Sequence, residues 1–98
     1  MIDYTRRAAG HVAALLDDYD LKERPLAMRS MQRDLREAWA AIEANPAEGL
    51  PAPRPYPHLA RKGVLWLRSG SYWVAWRRSP RLTISAVFYD EADIPGRY

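Results

Sequence analysis

Three short apolar runs in the last third of the chain, separated by tight turn signals, restrict the fold more than any other feature. The runs cover residues 64–67, 72–76 and 82–89, and the turns between them contain Ser-Gly-Ser and Arg-Ser-Pro-Arg. Apolar runs of this length, separated by such turns, are typical of β-strands joined by hairpins. The last run is apolar or small at nearly every position, which predicts a central strand covered on both faces. The sequence therefore predicts a three-stranded antiparallel meander.

The tryptophans of the predicted meander are divided between its two faces. Alternate residues of a strand point to the same face, so Trp66 shares a face with Val64. By the same rule Trp76 shares a face with Val74, whereas Trp73 points to the other side. Because one face must cover the rest of the domain, we expect some of these tryptophans to be in the core and others to be exposed.

The first half of the chain predicts a short strand and an antiparallel pair of α-helices. Residues 2–4 alternate like an edge strand, and the Thr5 hydroxyl can cap a helix over residues 6–18. Pro25 suits the first turn of a second helix, predicted over residues 25–44. The apolar stripes that should pack on the meander contain Val12, Leu15, Leu16 and Tyr19 in the first helix, and Leu26, Met28, Met31, Leu35, Ala38, Trp39 and Ile42 in the second.

A proline-rich connector joins the helices to the meander. Five prolines and Gly49 lie within residues 46–57, a composition that excludes a continuous helix. We expect this connector to lead from the helical pair to the sheet, although loops of this length often have a function. Asp34, beside Arg33 in the second helix, is expected to face water. The 98 residues predict a single α+β domain of two layers, covering residues 1–98.

The positive charge of the chain is concentrated in its second half. Residues 1–50 contain seven Lys or Arg against nine Asp or Glu, and residues 51–98 contain eight against three. The two halves therefore carry about −2 and about +5. A basic sheet suggests an acidic partner, either a nucleic acid or an acidic protein segment; an ordinary solvated basic surface is the alternative.

Several classes of site are excluded by composition. The chain contains no cysteine, so it can form neither a disulfide nor a thiolate metal site, and it has no cysteine nucleophile. Asp90, Glu91 and Asp93 are clustered acids, but no histidine has the spacing of a metal site. No apolar run approaches the length of a membrane span or a signal peptide. We expect a cytoplasmic protein that needs no cofactor.

The order of these elements, and several local motifs, can be compared with a known family. A Pro-x-x-Gly turn occupies residues 46–49, and a Leu-Arg pair follows at residues 67–68. A Gly-x-Tyr step at residues 70–72 leads into Trp76 and Arg77. The last strand ends at residues 87–89 and is followed by Asp93, Ile94 and Pro95. In order and spacing, these motifs resemble the RelE/ParE superfamily of bacterial toxins, with ParE-like members favoured.

The resemblance implies the toxin of a type II toxin–antitoxin pair. Such a protein would inhibit growth or stabilise a plasmid, and a cognate antitoxin would silence it in a hetero-oligomeric complex. Operator DNA would be bound only through the antitoxin. ParE-like members of the superfamily inhibit DNA gyrase, whereas RelE-like members are ribosome-dependent endoribonucleases that cut messenger RNA.

A metal-independent nuclease needs a proton acceptor, a proton donor and fixed positive charge around one phosphate. The family position that is often histidine is Tyr89 here, and acids follow it. Both histidines lie elsewhere, His11 in the first helix and His58 in the connector. If the chain is an RNase, the resemblance implies the catalytic set Arg61, Lys62, Arg68, Arg77, Tyr89 and Tyr98.

Binding of a target or of the antitoxin is the other use for these residues. Arginines interleaved with large aromatic side chains are typical of interface anchors. The residues expected to bind are Arg68, Trp73, Trp76, Arg77, Arg78, Tyr89 and Arg97. Three hypotheses therefore remain: a ParE-like toxin that binds gyrase, a RelE-like RNase acting on the ribosome and its mRNA, and an inactive or regulatory binding module with the same fold.

Overall fold

A computed structural model describes residues 3–89 of the chain. It contains strand β1 at Asp3–Tyr4, helices α1 at Arg6–Leu21 and α2 at Pro25–Ala44, and strands β2 at Leu65–Ser69, β3 at Tyr72–Arg77 and β4 at Thr83–Tyr89. A single 3₁₀ turn, Pro57–Leu59, interrupts the connector. The predicted α+β fold is confirmed, and α2 has the predicted bounds. Among residues 3–89, no helix is long and apolar enough to cross a membrane.

The four strands form one sheet in the order β1-β4-β3-β2. The predicted meander is confirmed, because β2, β3 and β4 are joined by antiparallel pairing. The short strand β1 adds a parallel pair, with Asp3 beside Thr83 and Tyr4 beside Ile84. β4 is an inner strand, as predicted, but β3 is covered more completely, since its residues 72–76 are all buried. The sheet is therefore mixed.

The helical pair packs on one face of the sheet. Its core contains Met31, Leu35, Ala38 and Ile42 of α2 together with Val74 and Trp76 of the sheet. The Thr5 hydroxyl accepts a hydrogen bond from the Ala8 amide at 3.0 Å, so the predicted cap is confirmed. α1 continues three residues beyond its predicted end. Leu26, placed by its spacing in the apolar stripe, is instead 73% exposed, because it lies in the first turn of α2.

The connector covers the opposite face of the sheet. A second core there contains Val64, Trp66, Trp73, Ala75, Ala86 and Phe88, against which Leu50, Tyr56 and Leu59 pack. Leu50 also pairs with Trp66 through two backbone hydrogen bonds of 2.8 Å at the outer edge of β2. The predicted division of side chains between the faces is confirmed. The connector therefore not only joins the helices to the sheet but also covers the face of the sheet away from the helices, which we call the far face.

Helix α1 provides a hydrogen-bond acceptor for β4 beyond the end of β1. The backbone amide of Thr5 donates to the Ile84 carbonyl at 2.9 Å, after which the chain turns into the helix. Further along, the Val87 amide of β4 donates to Nδ1 of His11 at 3.2 Å, and the His11 ring lies 4.6 Å from the Phe88 ring. Because an unpaired buried amide is costly, His11 has a structural role in accepting this hydrogen bond.

Candidate functional site

The predicted functional residues lie at two opposite ends of the sheet. The register aligns Ser69 with Tyr72, and Tyr72 with Tyr89, at one end. At the other end Leu65 is aligned with Trp76, and Arg77 with Thr83. Tyr72 and Arg77 are separated by five residues of strand, or about 17 Å. We call the first the tyrosine end and the second the basic end.

The tyrosine end contains a cluster of phenols and a buried carboxylate. The hydroxyl groups of Tyr19 and Tyr72 share a hydrogen bond of 2.5 Å, and the Tyr89 ring packs edge-on against Tyr72 at 5.8 Å. The Arg24 guanidinium lies over the Tyr19 ring, 5.7 Å from its centroid. With Asp34 nearby, these side chains line a groove of about 650 Å³. This end can hold a polar ligand group or part of a protein partner.

The prediction that the Asp34 side chain faces water is wrong. It is only 7% exposed, and its carboxylate lies 3.5 Å from Nε of Arg33. Its backbone carbonyl accepts a hydrogen bond of 2.6 Å from the Ser69 hydroxyl. The sequence contained a signal for this position, because Asp34 follows Met31 by three residues and precedes Ala38 by four, on the buried stripe of α2.

The basic end contains Lys62, Arg77, Arg78 and Arg81, and all four are exposed. The Arg77 guanidinium donates to the Lys62 carbonyl at 3.4 Å, which joins the segment before β2 to the end of β3. Arg81 forms an ion pair with Asp3 at 3.1 Å. Arg61 precedes Lys62 in the same turn and is also exposed.

The residues predicted for an RNase are not brought together. Lys62 and Arg77 lie at the basic end, whereas Tyr89 is half-buried at the tyrosine end. Arg68 is aligned with Trp73 and so belongs to the far face, while Tyr89 shares its face with Tyr72. A proton donor must lie within hydrogen-bond reach of the phosphate that the cations hold, and this arrangement prevents it. Tyr98, the other candidate, lies outside the described residues.

The prediction that some tryptophans of the sheet are exposed is wrong. Trp73 is 2% exposed and Trp76 is fully buried, because helices cover one face and the connector covers the other. The indole of Trp76 donates to the Pro46 carbonyl at 3.0 Å, which is a structural contact. Trp73 and Trp76 therefore cannot be surface anchors for a target or an antitoxin. Arg68, Arg77 and Arg78 remain exposed, and Arg97 lies outside the described residues.

A larger groove runs along the outer edge of β2. It encloses about 860 Å³ between the end of α2, the start of the connector and the strand. Its charged side chains are Glu37, Glu48, Arg54 and Arg68, so it offers both signs of charge. Arg68 is oriented by a hydrogen bond of 3.1 Å from its Nε to the Gly70 carbonyl. We call this feature the β2-edge groove; it can hold an extended peptide.

The described part of the chain contains no candidate metal site. Within residues 3–89, no three His, Asp or Glu side chains lie close enough together to hold a metal ion. The acids Asp90, Glu91 and Asp93 lie outside that part.

The phenol cluster makes the stability of the fold depend on pH in the alkaline range. Burial, and then the hydrogen bond with Tyr19, raise the pKa of the Tyr72 hydroxyl well above its usual value. The unfolded chain loses this proton above pH ~10, while the folded chain keeps it, so unfolding becomes easier by about 1.4 kcal/mol per pH unit. Urea titrations between pH 8 and pH 11.5 should show this slope.

Two phenylalanine variants separate Tyr72 from the other tyrosines. Tyr72→Phe should flatten the dependence on pH, because the raised pKa is then absent, whereas Tyr56→Phe in the connector should retain it. Equal slopes in Tyr72→Phe and the unmodified chain would contradict this assignment.

The comparisons with known proteins support the fold and no more. No protein family model matches the chain, and no curated protein sequence matches it. A solved structure described as the chromosomal ParDE TA system from P. aeruginosa contains a similar chain. The two are 21% identical, the match covers 92% of this chain and 95% of that one, and the TM-score is 0.68. The fold expected from the resemblance to RelE/ParE toxins is therefore confirmed.

Proposed function

We propose that this chain is the toxin of a type II toxin–antitoxin pair, silenced by a cognate antitoxin, and that it acts by binding DNA gyrase. The observation that carries the proposal is the likeness in fold, over nearly the whole chain, to a chain of a ParDE TA system. Because one fold can host several activities, the choice of target rests on the site.

The separation of the predicted catalytic residues supports a binding mechanism over RNA cleavage. Lys62 and Arg77 lie about 17 Å along the sheet from the tyrosine end, where Tyr89 lies. A toxin that inhibits by binding does not need these groups around one phosphate. It needs exposed side chains on rigid elements, and Arg68 and Arg77 satisfy this on β2 and β3.

The β2-edge groove is the place that we assign to the antitoxin. It lies against an edge strand, where an extended peptide can pair with the backbone. The connector already occupies this edge at one position, where Leu50 forms both backbone hydrogen bonds with Trp66, so a peptide would pair beyond that position. Charges of both signs around the groove, Glu37 and Glu48 against Arg54 and Arg68, provide specific partners for a peptide.

Induced expression of the chain in bacteria without its antitoxin tests the function. DNA synthesis and protein synthesis are followed separately by incorporation of labelled precursors. Early loss of DNA synthesis with DNA breaks is expected for a gyrase inhibitor. Early loss of translation with cut messages would instead establish the RNase, and unimpeded growth would leave the inactive module as the remaining hypothesis.

Variants in the same assay distinguish the mechanisms. Tyr89→Phe should leave the toxicity of a gyrase inhibitor nearly unchanged, whereas it should strongly reduce that of a nuclease that uses the phenol as a proton donor. Arg68→Glu with Arg77→Glu should abolish growth inhibition without unfolding. The matched control is Arg29→Glu with Arg36→Glu, two exposed arginines on α2. A folded and fully toxic Arg68/Arg77 variant would exclude this surface.

A further inference from the structure

The basic end of the sheet is a cluster of cations with little compensating charge. Arg77 ends β3, Arg78 follows it, Arg81 precedes β4, and Lys62 precedes β2. Of these four, only Arg81 forms an ion pair within the described residues, with Asp3. Lys62, Arg77 and Arg78 thus leave three positive charges uncompensated on adjacent strand ends.

The backbone around these cations fixes their spacing. Gly63 has a φ of +79°, and the turn that it makes brings the Lys62 carbonyl to the Arg77 guanidinium. Neighbouring strands lie about 4.8 Å apart, so Lys62 before β2 lies close to Arg77 and Arg78 at the end of β3. Each nucleotide of a strand carries one phosphate charge, so three closely spaced cations can neutralise about three phosphates.

We propose that the basic end binds the phosphate backbone of nucleic acid directly, without reading the bases. The large aromatic side chains of the adjacent strands, Trp66 and Trp76, are fully buried and cannot stack on bases. Contacts of cations with phosphates alone position a protein but carry no sequence information. This role differs from the expectation that DNA is bound only through the antitoxin.

An acidic protein segment fits the basic end less well. Protein interfaces have an apolar centre surrounded by polar groups. The turn residues at this end, Gly63, Ser79 and Pro80, supply no such centre. The exposed apolar side chains Leu21, at the end of α1, and Leu26, in the first turn of α2, lie on the side of Tyr19 and the tyrosine end. The exposed ring of Tyr4, in β1, packs against Trp39 of α2 at 5.8 Å. The proposal goes beyond the proposed function, because binding of nucleic acid does not depend on which target the toxin inhibits.

Fluorescence anisotropy with the purified full chain and labelled 20-base-pair duplexes of unrelated sequence tests the proposal. Affinity should be the same for the different duplexes and should fall with salt at a logarithmic slope of about −3, as expected for about three phosphate contacts. Arg77→Gln with Arg78→Gln should weaken binding at least tenfold at 50 mM salt and reduce the slope by about two. Arg81→Gln should have a smaller effect, because Asp3 already compensates this charge.

The control replaces two arginines that lie away from the basic end. Arg29→Gln with Arg36→Gln removes the same charge from α2 and should leave the affinity nearly unchanged. Circular dichroism verifies that both double variants are folded. Absence of binding at 50 mM salt, or equal affinity of the two double variants, would overturn the proposal. Poly-glutamate that binds as tightly as the duplex would also overturn it, by identifying an acidic protein segment as the partner. A chain that binds DNA but does not inhibit growth would refute only the proposed function.

Discussion

Replacement of Trp76 by alanine is expected to be among the most destabilising single changes in this chain. The Trp76 side chain is fully buried and packs with α2 in the core between the helices and the sheet. Removing a buried tryptophan typically costs about 3–5 kcal/mol. The change also removes the hydrogen bond of 3.0 Å to the Pro46 carbonyl, which holds the start of the connector against the sheet.

Two further tryptophan variants make the prediction specific. Trp76→Phe keeps most of the volume but loses the indole donor, so it should cost less than Trp76→Ala. Trp39→Ala should cost only about 1–2 kcal/mol, since a half-buried side chain loses less apolar burial. Trp39 was expected from its spacing to be in the core, but it is half-buried, and its ring packs against Tyr4 at 5.8 Å. Urea unfolding with equal losses for Trp76→Ala and Trp39→Ala would contradict this ranking.

The sequence predicted the elements of the fold because each has a strong local signal. The period of the apolar residues and Pro25 define α2, and Thr5 defines the start of α1. In the meander the alternation of side chains also predicts correctly which tryptophan belongs to which face. These signals depend on neighbours within a few residues, so they can be read without knowing the tertiary structure.

The exposure of the same side chains could not be predicted, because it depends on what covers each face. Alternation places Trp73 on the face away from the helices, but only the path of the connector shows that Leu50, Tyr56 and Leu59 bury that face. A proline-rich segment has no period that reveals such packing. The expectation of exposed tryptophans failed for this reason.

Polar side chains with long-range partners were missed for a related reason. The sequence placed His11 only in the first helix, whereas the structure shows that it accepts a hydrogen bond from the Val87 amide, 76 residues away in sequence. The separation of Lys62 from Tyr89 likewise follows from the register of the sheet. Candidate catalytic residues that are plausible together in sequence can therefore lie at opposite ends of a strand.

The second large effect is expected at Gly70, in the turn between β2 and β3. Gly70 has a φ of +58°, in the left-handed region, where a side chain costs about 1–2 kcal/mol. A Cβ atom added there would also overlap the carboxylate of Asp34, which is itself buried. Gly70→Ala is therefore expected to cost about 2–4 kcal/mol, the sum of backbone strain and a displaced buried charge.

Gly63 supplies the matched control for this prediction. It also has a positive φ, +79°, but an added Cβ would meet only an Arg77 nitrogen at 3.4 Å. Gly63→Ala should therefore show the backbone cost alone, and urea unfolding of the two variants should differ by the cost of displacing Asp34. In an Asp34→Ala background, the further loss caused by Gly70→Ala should fall to the Gly63→Ala value, because contacting residues are energetically coupled. If Gly70→Ala costs as much stability in the Asp34→Ala background as in the unmodified chain, the Asp34 carboxylate is not the reason for the glycine. The backbone conformation of the turn alone would then require it.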